Sequence, residues 1–437
     1  MSTNVTPVTA TPDVEEVVLR RTESREARTH RISTGILIAI MGLVLAWLAT
    51  QTSGTAQFAL SDAFDEVQLP TINVPGIVTV ATSALLALLA AAGFISGRLH
   101  GRSTAFAATV AGLAVVLGFL TWAAAGRELP FPVANQFAGT IDFATPLILG
   151  ALCGVMSERA GVVNVAIEGQ MLTAAFMAAI VGSITQSITI ALIAAVLGAM
   201  VMGALLALFS IKYFVEQVVI GVVINLFASG LTGFIYDQSI QPRSLELNQP
   251  PIMEKIAIPL LSDIPFFGTV LFRQTALAYM AVASVALVWF LLYRTKWGLR
   301  VRAVGEHPKA ADTVGINVAA TRWSAVLVGS IFAGLGGAFF TIGFAGAFNK
   351  DITVGNGFIA LAALIMGRWR PVLAALMALF FGFVTQMASQ LQTINTPMPS
   401  QFLLILPYIA TIIAVAGLVG RVRPPAADGV PYIKEGH

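Results

Sequence analysis

Few residues of this chain have side chains suited to catalysis or metal binding, and most of those lie outside its apolar segments. The histidines His30, His100, His307 and His437 fall in tails or loops, and the single cysteine, Cys153, stands alone in an apolar run. No metal site built on histidine or cysteine is therefore predicted inside a membrane. The chain also contains no Walker A pattern for holding nucleotide phosphates.

Acidic residues within membrane helices would indicate ion-coupled transport, because ion-driven transporters usually keep such residues there. Glu168 and Glu216 are the candidates, and both are predicted near helix ends. The paired carboxylates or activated nucleophile that a membrane enzyme needs are not found at predicted membrane depth. We therefore expect no catalytic residue, no bound metal and no cofactor in this chain.

The composition is that of an integral membrane protein. Hydrophobic residues make up 57% of the 437 residues and charged residues 11%, and the mean hydropathy is +0.84. Apolar runs of about 17 or more residues recur, which indicates spanning helices and not a barrel. The predicted fold is all-α, a polytopic membrane protein of about 10–12 transmembrane helices. The net charge is only +3, and the basic residues lie beside the ends of the predicted spans. They therefore indicate membrane topology and not nucleic-acid binding.

The chain divides into four predicted regions. Residues 1–31 are polar and end in a basic cluster, so we expect a disordered cytoplasmic tail. Residues 32–142 are predicted to form an N-terminal transmembrane extension, and residues 143–420 a membrane core. Residues 421–437 are predicted to be a second cytoplasmic tail. The distribution of arginine and lysine thus predicts a multi-pass protein with both termini in the cytoplasm.

Two apolar segments are too short to cross a bilayer unaided. They cover residues 143–156 and 357–366, and each ends in a basic or mixed polar cluster. We expect short or broken helices there, and their occurrence in both halves is compatible with an inverted repeat around a transport pathway.

Three polar residues accompany the predicted spans of the core. Asn164 and Glu168 follow the first short segment, where they either lie solvated at the membrane end or line a polar cavity. Asn225, in the middle of a span, either hydrogen-bonds a neighbouring helix or contacts a ligand.

The stretch 294–322 is strongly basic and joins two long apolar runs, so it is predicted to be cytoplasmic. Pro308 suits the first position of a helix and Gly315 the position just past its end, which predicts a short helix between them. Ala310 and Ala311 give this helix a low profile that could seat in a groove. The alternative is an ordinary solvated loop with a turn in it.

Three strings carry a resemblance to a known family: SERAGVVNVAIEGQM at 157–171, WGLRVRAVGEHPKAADTVGINV at 297–318 and GFIALAALIMGRWRP at 357–371. With them the chain resembles permease subunits of bacterial ATP-binding-cassette importers. The branch is that of the branched-chain amino-acid and ribose permeases, and most closely its nucleoside or simple-sugar type. The resemblance covers most of 143–420, the expected permease core, whereas the first three spans and both tails lie outside it.

The resemblance implies a complex in the bacterial plasma membrane that works by alternating access. Expected partners are a separate ABC ATPase subunit, which hydrolyses the ATP, a second permease subunit of paralogous type, an extracytoplasmic substrate-binding lipoprotein, a nucleoside or sugar substrate, and membrane lipid. The resemblance also implies which residues couple the permease to the ATPase: Arg302, Gly305, Glu306, Pro308, Ala310, Ala311 and Gly315. Candidates for the substrate path are Asn164, Glu168, Asn225, Phe348, Asn349 and Asn356.

Two other classes of function compete with this hypothesis. An ion-coupled secondary transporter or a channel would move its substrate without any ATPase. A membrane-embedded enzyme is disfavoured because the required groups of catalytic residues are missing.

Overall fold

Long helices make up most of the computed structural model, which describes residues 25–61, 67–99, 101–394, 396, 398–413 and 423–434. Within these residues ten helical segments are long and apolar enough to cross a membrane, which confirms the predicted all-α polytopic fold. The helices are α1 (Arg25–Gln51), α2 (Gly76–Ser96), α3 (Arg102–Ala124), α4 (Val133–Glu158), α5 (Ile167–Thr185), α6 (Ile188–Ala207), α7 (Gln217–Ile235), α8 (Ser244–Leu247), α9 (Ala276–Arg294), α10 (Lys296–Glu306), α11 (Pro308–Thr313), α12 (Val318–Ala338), α13 (Asn356–Met366), α14 (Pro371–Thr393) and α15 (Ser400–Ile413).

Short strands connect some of these helices. They are β1 (Thr55–Ala59), β2 (Ile72–Pro75), β3 (Phe131–Pro132), β4 (Lys255–Ala257) and β5 (Arg273–Thr275). β1 pairs antiparallel with β2 and parallel with β3, while β4 and β5 form a separate antiparallel pair. Because β1 and β2 join α1 to α2 and β3 precedes α4, the first sheet ties the N-terminal helices to the rest of the bundle.

The predicted short or broken helix at residues 143–156 is wrong. α4 begins earlier, at Val133, and its 26 residues are sufficient to cross a membrane. Its polar first half is accommodated by α14: the Gln136 side chain donates to the Phe383 carbonyl at 3.0 Å, and the Gln386 side chain donates to the Asn135 carbonyl at 3.1 Å. Because these side-chain amides are hydrogen-bonded, α4 can carry polar residues within the membrane, where hydropathy alone would not predict them.

The second short segment is confirmed. α13 has 11 residues, which corresponds to a length of about 16 Å and is too short for a full crossing. Residues 346–355 lead into it without forming a helix. The inverted repeat suggested by two such segments stays a prediction.

The centre of the bundle is packed around α4, α12 and α14. Their largest shared cluster of buried side chains includes Leu149, Phe332 and Phe381. Glycines bring helix backbones into close contact: a Cβ at Gly329 of α12 would lie only 2.8 Å from the Cys153 carbonyl oxygen of α4. Membrane helices commonly pack through small residues in this way.

The N-terminal helices α1, α2 and α3 pack mainly on one another. Leu45 of α1, Val80 of α2 and Ala84 of α2 are buried in their shared cluster. A second cluster joins the end of α3 to α14 and α15 through residues such as Leu120 and Leu391. α1 begins at Arg25, so residues 25–31 of the predicted disordered tail are helical, while residues 1–24 lie outside the described residues.

Candidate functional site

The predicted short helix in the basic loop is confirmed as α11. Pro308 occupies its first turn, and Gly315 follows its end with a φ of +83°, a left-handed conformation that glycine adopts without strain. α10 precedes it and is capped by Thr295, whose hydroxyl accepts a hydrogen bond from the Gly298 amide. We call the end of the bundle that carries α10, α11 and residues 423–434 the α11 end.

The two alanines of α11 face in different directions. Ala311 is 4% exposed and packs against Val304 and Val318, so it anchors α11 to the bundle. Ala310 is exposed. Val314, just past the helix, has 74% of its surface exposed, which is a large value for an apolar side chain. The apolar part of the outward surface of α11 is therefore formed by Ala310 and Val314, and sequence reasoning had not included Val314.

Gly305 and Glu306 of α10 contact the C-terminal segment, residues 423–434. The Gly305 carbonyl accepts the Ala427 amide at 2.9 Å, and the Glu306 carboxylate accepts the Ala426 amide at 3.2 Å. A Cβ at position 305 would collide with the Arg159 backbone carbonyl. Both residues therefore hold α10 against its neighbours.

Arg302, also in the predicted coupling set, lies apart from α11. Its guanidinium carbon is 5.1 Å from the centre of the Tyr293 ring, the geometry of a cation–π contact.

Arg322 of α12 fastens the C-terminal segment to the bundle. Only 2% of this side chain is exposed, and it donates to the backbone carbonyls of Ala160 at 3.2 Å and of Val430 at 3.0 Å. Burial raises the pKa of Asp428 in this segment to about 7, although Arg322 acts in the opposite direction. The segment is thus part of the α11 end, a role that sequence reasoning missed because it depends on contacts between distant residues.

At the opposite end of the bundle is a cavity of about 480 Å³. We call it the aromatic cavity, because α4, α12 and α15 contribute rings to its wall. Phe339 and Phe344 are stacked there, with ring centroids 6.2 Å apart and an interplanar angle of 19°. Both belong to the π-helical turn that ends α12. Its other aromatic residues are Phe143, Phe340 and Tyr408.

Asp142 gives the aromatic cavity a carboxylate. One of its oxygens, Oδ2, pairs with the Lys255 ammonium at 2.9 Å, and the other, Oδ1, is buried with no hydrogen-bond partner among the described residues. An unpaired buried carboxylate oxygen is costly unless a donor reaches it. The cavity therefore offers a hydrogen-bond acceptor beside several aromatic rings, a combination typical of small-molecule sites.

Five of the six predicted substrate-path residues separate into two groups. Asn349 and Asn356 line the aromatic cavity. Asn164 is fully buried and bonded to Cys153 and Gln170, and Asn225 joins α7 to α5 by bonding the Gly169 amide at 2.8 Å and the Val165 carbonyl at 2.9 Å. Phe348 is likewise fully buried.

Asn225 therefore makes the helix-to-helix hydrogen bond that was one of its two predicted roles. Phe348 packs against Phe176 and Tyr236 and not in the cavity.

Glu168 belongs to neither group. Its carboxylate accepts hydrogen bonds from the Thr353 hydroxyl at 2.5 Å, the Gly355 amide at 2.9 Å and the Gly357 amide at 2.6 Å. These amides belong to the N-terminal end of α13, where a negative charge is stabilised by the helix dipole. Glu168, at the start of α5, thus caps α13 and joins the two halves of the core.

The chain is similar to known permeases over most of this architecture. The family described as branched-chain amino acid transport system / permease component matches residues 136–415. The chain belongs to this permease family. The matched region contains the aromatic cavity, Glu168 and α11, whereas α1, α2 and α3 precede it.

Individual relatives carry more specific names. The guanosine ABC transporter permease protein NupQ of Bacillus subtilis is 41% identical over 304 residues, which cover 68% of this permease and 95% of NupQ. The nucleoside ABC transporter permease protein NupC of Lactococcus lactis is 40% identical over 312 residues, covering 68% and 96%. The putative glucose ABC transporter permease protein TsgC13 of Haloferax volcanii is 33% identical over 306 residues, covering 66% and 92%. No solved structure matches this permease.

Sequence reasoning missed most of the wall of the aromatic cavity in this permease. Asp142, Phe339 and Phe344 were not among the predicted substrate-path residues. One signal was present: Asp142 is an acidic residue directly before the apolar run 143–156, and in the structure its side chain is half-buried. The phenylalanines gave no signal, because a phenylalanine in a membrane helix is ordinarily a packing residue.

Proposed function

We propose that this protein is the permease subunit of an ATP-driven importer for nucleosides. The observation that carries the proposal is the similarity at 41% and 40% identity to a guanosine and a nucleoside permease, over nearly their whole length. The glucose-type relative is more distant, at 33%, and simple sugars are therefore the second substrate class to test.

The aromatic cavity suits a nucleoside in size and chemistry. Its volume of about 480 Å³ lies within the range of about 300–1,000 Å³ common for small-molecule sites. Phe344 is 60% exposed and offers a ring face on which a base can stack. The carboxylate of Asp142, which lines the cavity, can accept a hydrogen bond from a ribose hydroxyl, and the amides of Asn349 and Asn356 can bond base edges.

We assign the α11 end to the cytoplasm and the aromatic cavity to the outer side. The basic residues of stretch 294–322 support this orientation under the positive-inside rule. Both termini are then cytoplasmic, in the plasma membrane of a bacterial cell. In this arrangement residues 143–420 are the permease core and residues 32–142 an added membrane domain.

A separate ATPase subunit docks, in this proposal, on the apolar part of the outward surface of α11, formed by Ala310 and Val314. An exposed valine beside a small residue is the kind of surface that a protein partner covers. ATP is hydrolysed on that subunit, and α11 transmits its movement.

α12 is the element suited to transmit the movement of α11. It begins at Val318, against Ala311, and with its π-helical turn it reaches Phe339 and Phe344 in the aromatic cavity. A rigid helix that touches both surfaces can couple them, so displacement of α11 alters the cavity wall and opens it to one side and then the other. Two further partners belong to the proposal: a second, paralogous permease subunit and an extracytoplasmic lipoprotein that delivers the substrate.

The alternative of ion-coupled transport finds no support in the acidic residues that sequence reasoning had offered for it. Glu168 caps α13 through three hydrogen bonds. Glu216 caps α7 by accepting from the Val218 and Val219 amides. Both carboxylates are thus engaged in holding helix ends, and neither is left to bind a proton or a sodium ion in a pathway.

The proposal is tested by reconstitution of the permease with its ATPase and its second permease subunit in liposomes, with radiolabelled guanosine supplied by the binding protein. We expect uptake that requires ATP and that unlabelled nucleosides inhibit, whereas glucose and ribose do not. Inhibition by glucose at a lower concentration than by any nucleoside would assign the sugar class instead.

A further inference from the structure

We propose that the α11 end of this protein holds an anionic phospholipid, with its headgroup among four arginines and an acyl chain in an adjoining apolar groove. The site lies between α9, α10 and α14, on the opposite end from the aromatic cavity. It is separate from the outward surface of α11. Nothing in the proposed transport of nucleosides requires it.

The headgroup region is a cavity of about 770 Å³. Four of its lining side chains are guanidinium groups from four different parts of the chain: Arg159, Arg294, Arg302 and Arg370. Its remaining lining residues are apolar or aromatic, and none is acidic.

None of these arginines has an ion pair with a carboxylate in the part of the chain that the structure describes. The nearest acid along the chain, Glu158, is engaged elsewhere, since its carboxylate accepts the Trp369 indole N–H at 2.5 Å. Arginine remains protonated at all physiological pH values, so the cavity concentrates uncompensated positive charge.

Local contacts hold these arginines in position for an anion. The Arg159 Nε donates to the Trp369 carbonyl at 2.8 Å, which leaves its terminal nitrogens available. Arg294 lies over the Trp289 ring at 5.5 Å, and Arg302 lies over the Tyr293 ring at 5.1 Å. The buried Nε of Arg302 has no hydrogen-bond partner among the described residues. Guanidinium groups present paired N–H donors that match phosphate oxygens.

An apolar groove continues from this cavity toward the middle of the membrane. Its volume is about 420 Å³, and it shares Trp289 and Val372 with the arginine cavity. From there it follows α9 back to Val282 and α14 forward to Leu379, a distance of about 10 Å on each helix. Its walls are almost wholly apolar, and Val282 is 65% exposed.

The combination identifies the class of ligand. A tryptophan and a tyrosine at the junction of a charged and an apolar region are typical of the membrane interface. Free phosphate or an acidic segment of a protein would use the arginines and leave the groove empty. A phosphodiester attached to an acyl chain uses both, and basic pockets between membrane helices suit such headgroups.

The test measures lipid binding to the full-length protein in detergent by native mass spectrometry, with phosphatidylglycerol and phosphatidylcholine of the same acyl chains as probes. We expect phosphatidylglycerol to remain bound at least 10-fold more tightly than phosphatidylcholine. In the variant R294Q/R370Q, which changes two exposed arginines of the cavity, we expect an affinity loss of about 30-fold, from the contribution of each basic group near an anionic lipid.

The matched control is K296Q/R300Q, which removes the same charge from exposed positions of α10 outside the cavity. Its affinity should change less than about 2-fold, since only screened, long-range attraction is lost. A second pair tests the groove: Ala286→Phe fills it, and Ala283→Phe adds the same ring to an exposed position of α9 outside it. Only the first should weaken binding of phosphatidylglycerol.

Three results would overturn the proposal. Equal affinity for the two lipids would mean that the arginines do not recognise charge. Displacement of phosphatidylglycerol by millimolar inorganic phosphate, with no effect of Ala286→Phe, would indicate a free-anion site. A shift from dimer to monomer in R294Q/R370Q, with lipid binding unchanged, would make this surface an interface between two copies. Thermal unfolding of each variant without added lipid checks that the fold is retained.

Discussion

The outward surface of α11 and the aromatic cavity lie at opposite ends of one bundle and are built in different ways. The first comes from one continuous stretch, residues 309–314, in and just past a helix of six residues. The second is assembled from α4, the end of α12, the start of α13, α14 and α15, which are far apart in the sequence. A surface for a protein partner can therefore be recognised in a string of residues, whereas a site for a small molecule exists only once the helices have packed.

The two regions also differ in what substitution should do to them. Ala310 can change without disturbing the fold because it is exposed, while the cavity residues combine packing with contact to the substrate. α12 physically joins the regions. If movement of α11 reaches the cavity through α12, damage at α11 should stop transport altogether, and damage in the cavity should change how well the substrate is bound.

The largest effect is expected for Ala310→Glu. A carboxylate placed in a packed interface with the ATPase is left without a partner, which costs about 3 kcal/mol, so ATP-dependent uptake should fall about 100-fold. Binding of guanosine to the permease should not change. Ala310→Ser, which keeps a small side chain, is the control and should retain uptake. Normal uptake by Ala310→Glu would remove α11 from the coupling path.

The next largest effect is expected in the aromatic cavity. Phe344→Ala removes an exposed ring face, and loss of one stacked base should raise KM roughly 10-fold. The maximal rate of ATP hydrolysis should be unchanged, because α11 is intact. Phe234→Ala removes a similarly exposed ring from α7, outside the cavity, and should leave KM unaltered. Equal effects of the two variants would exclude Phe344 from substrate binding.

A third prediction concerns the contact between the halves of the core. Glu168→Gln keeps the shape of the side chain but replaces charge-assisted hydrogen bonds to α13 with neutral ones, so the free energy of unfolding should fall by about 1–2 kcal/mol. Thermal unfolding in detergent measures the change. Glu216→Gln alters an exposed cap of a single helix and should cost less than about 1 kcal/mol. If both variants unfold alike, Glu168 is no more than a local cap.

The sequence was sufficient to predict the class of fold, the number of spans and α11 itself. Apolar runs and the pair Pro308 and Gly315 are local signals, because the structures they predict depend only on residues that are close in the sequence. The start of α4 was mispredicted because Gln136 looks polar in the sequence but is satisfied by a carbonyl of α14. Hydropathy cannot anticipate a partner that is contributed by a distant helix.

The candidate site was predictable only in part. Asn356 and Glu168 were predicted as candidates because they are polar residues near the short apolar segments. In the structure Asn356 begins α13, and Glu168 hydrogen-bonds to the start of that helix. Phe348, chosen as an aromatic for stacking, is buried against Phe176, whereas Phe344, four residues earlier, faces the cavity. The sequence contains no periodic signal to separate them, because the helical turn ends at Ala345 and Gly346, with a φ of +69°, redirects the chain between these positions.

A fourth prediction concerns the C-terminal segment. Because burial raises the pKa of Asp428 to about 7 from its ordinary 3.8, the docked segment holds a proton that the released segment loses between these values. Docking should be strongest below pH 3.8, weaken as the pH rises to 7 and stay constant above it.

Hydrogen exchange of residues 423–434 between pH 4 and pH 8 measures this dependence, once corrected for intrinsic exchange rates. Asp428→Asn cannot ionise and should abolish it. Asp312→Asn, which alters the exposed pair with Lys434, should leave it in place. An unchanged pH dependence in Asp428→Asn would mean that another group titrates.

We propose that the energy for transport arrives at the α11 end from a separate ATPase. Guanosine accumulation in proteoliposomes tests it most directly, with the purified chain alone under an imposed proton or sodium gradient compared with the complete complex supplied with ATP. We expect accumulation only by the complete complex, and only with hydrolysable ATP. Accumulation by the chain alone, driven by either gradient, would contradict it.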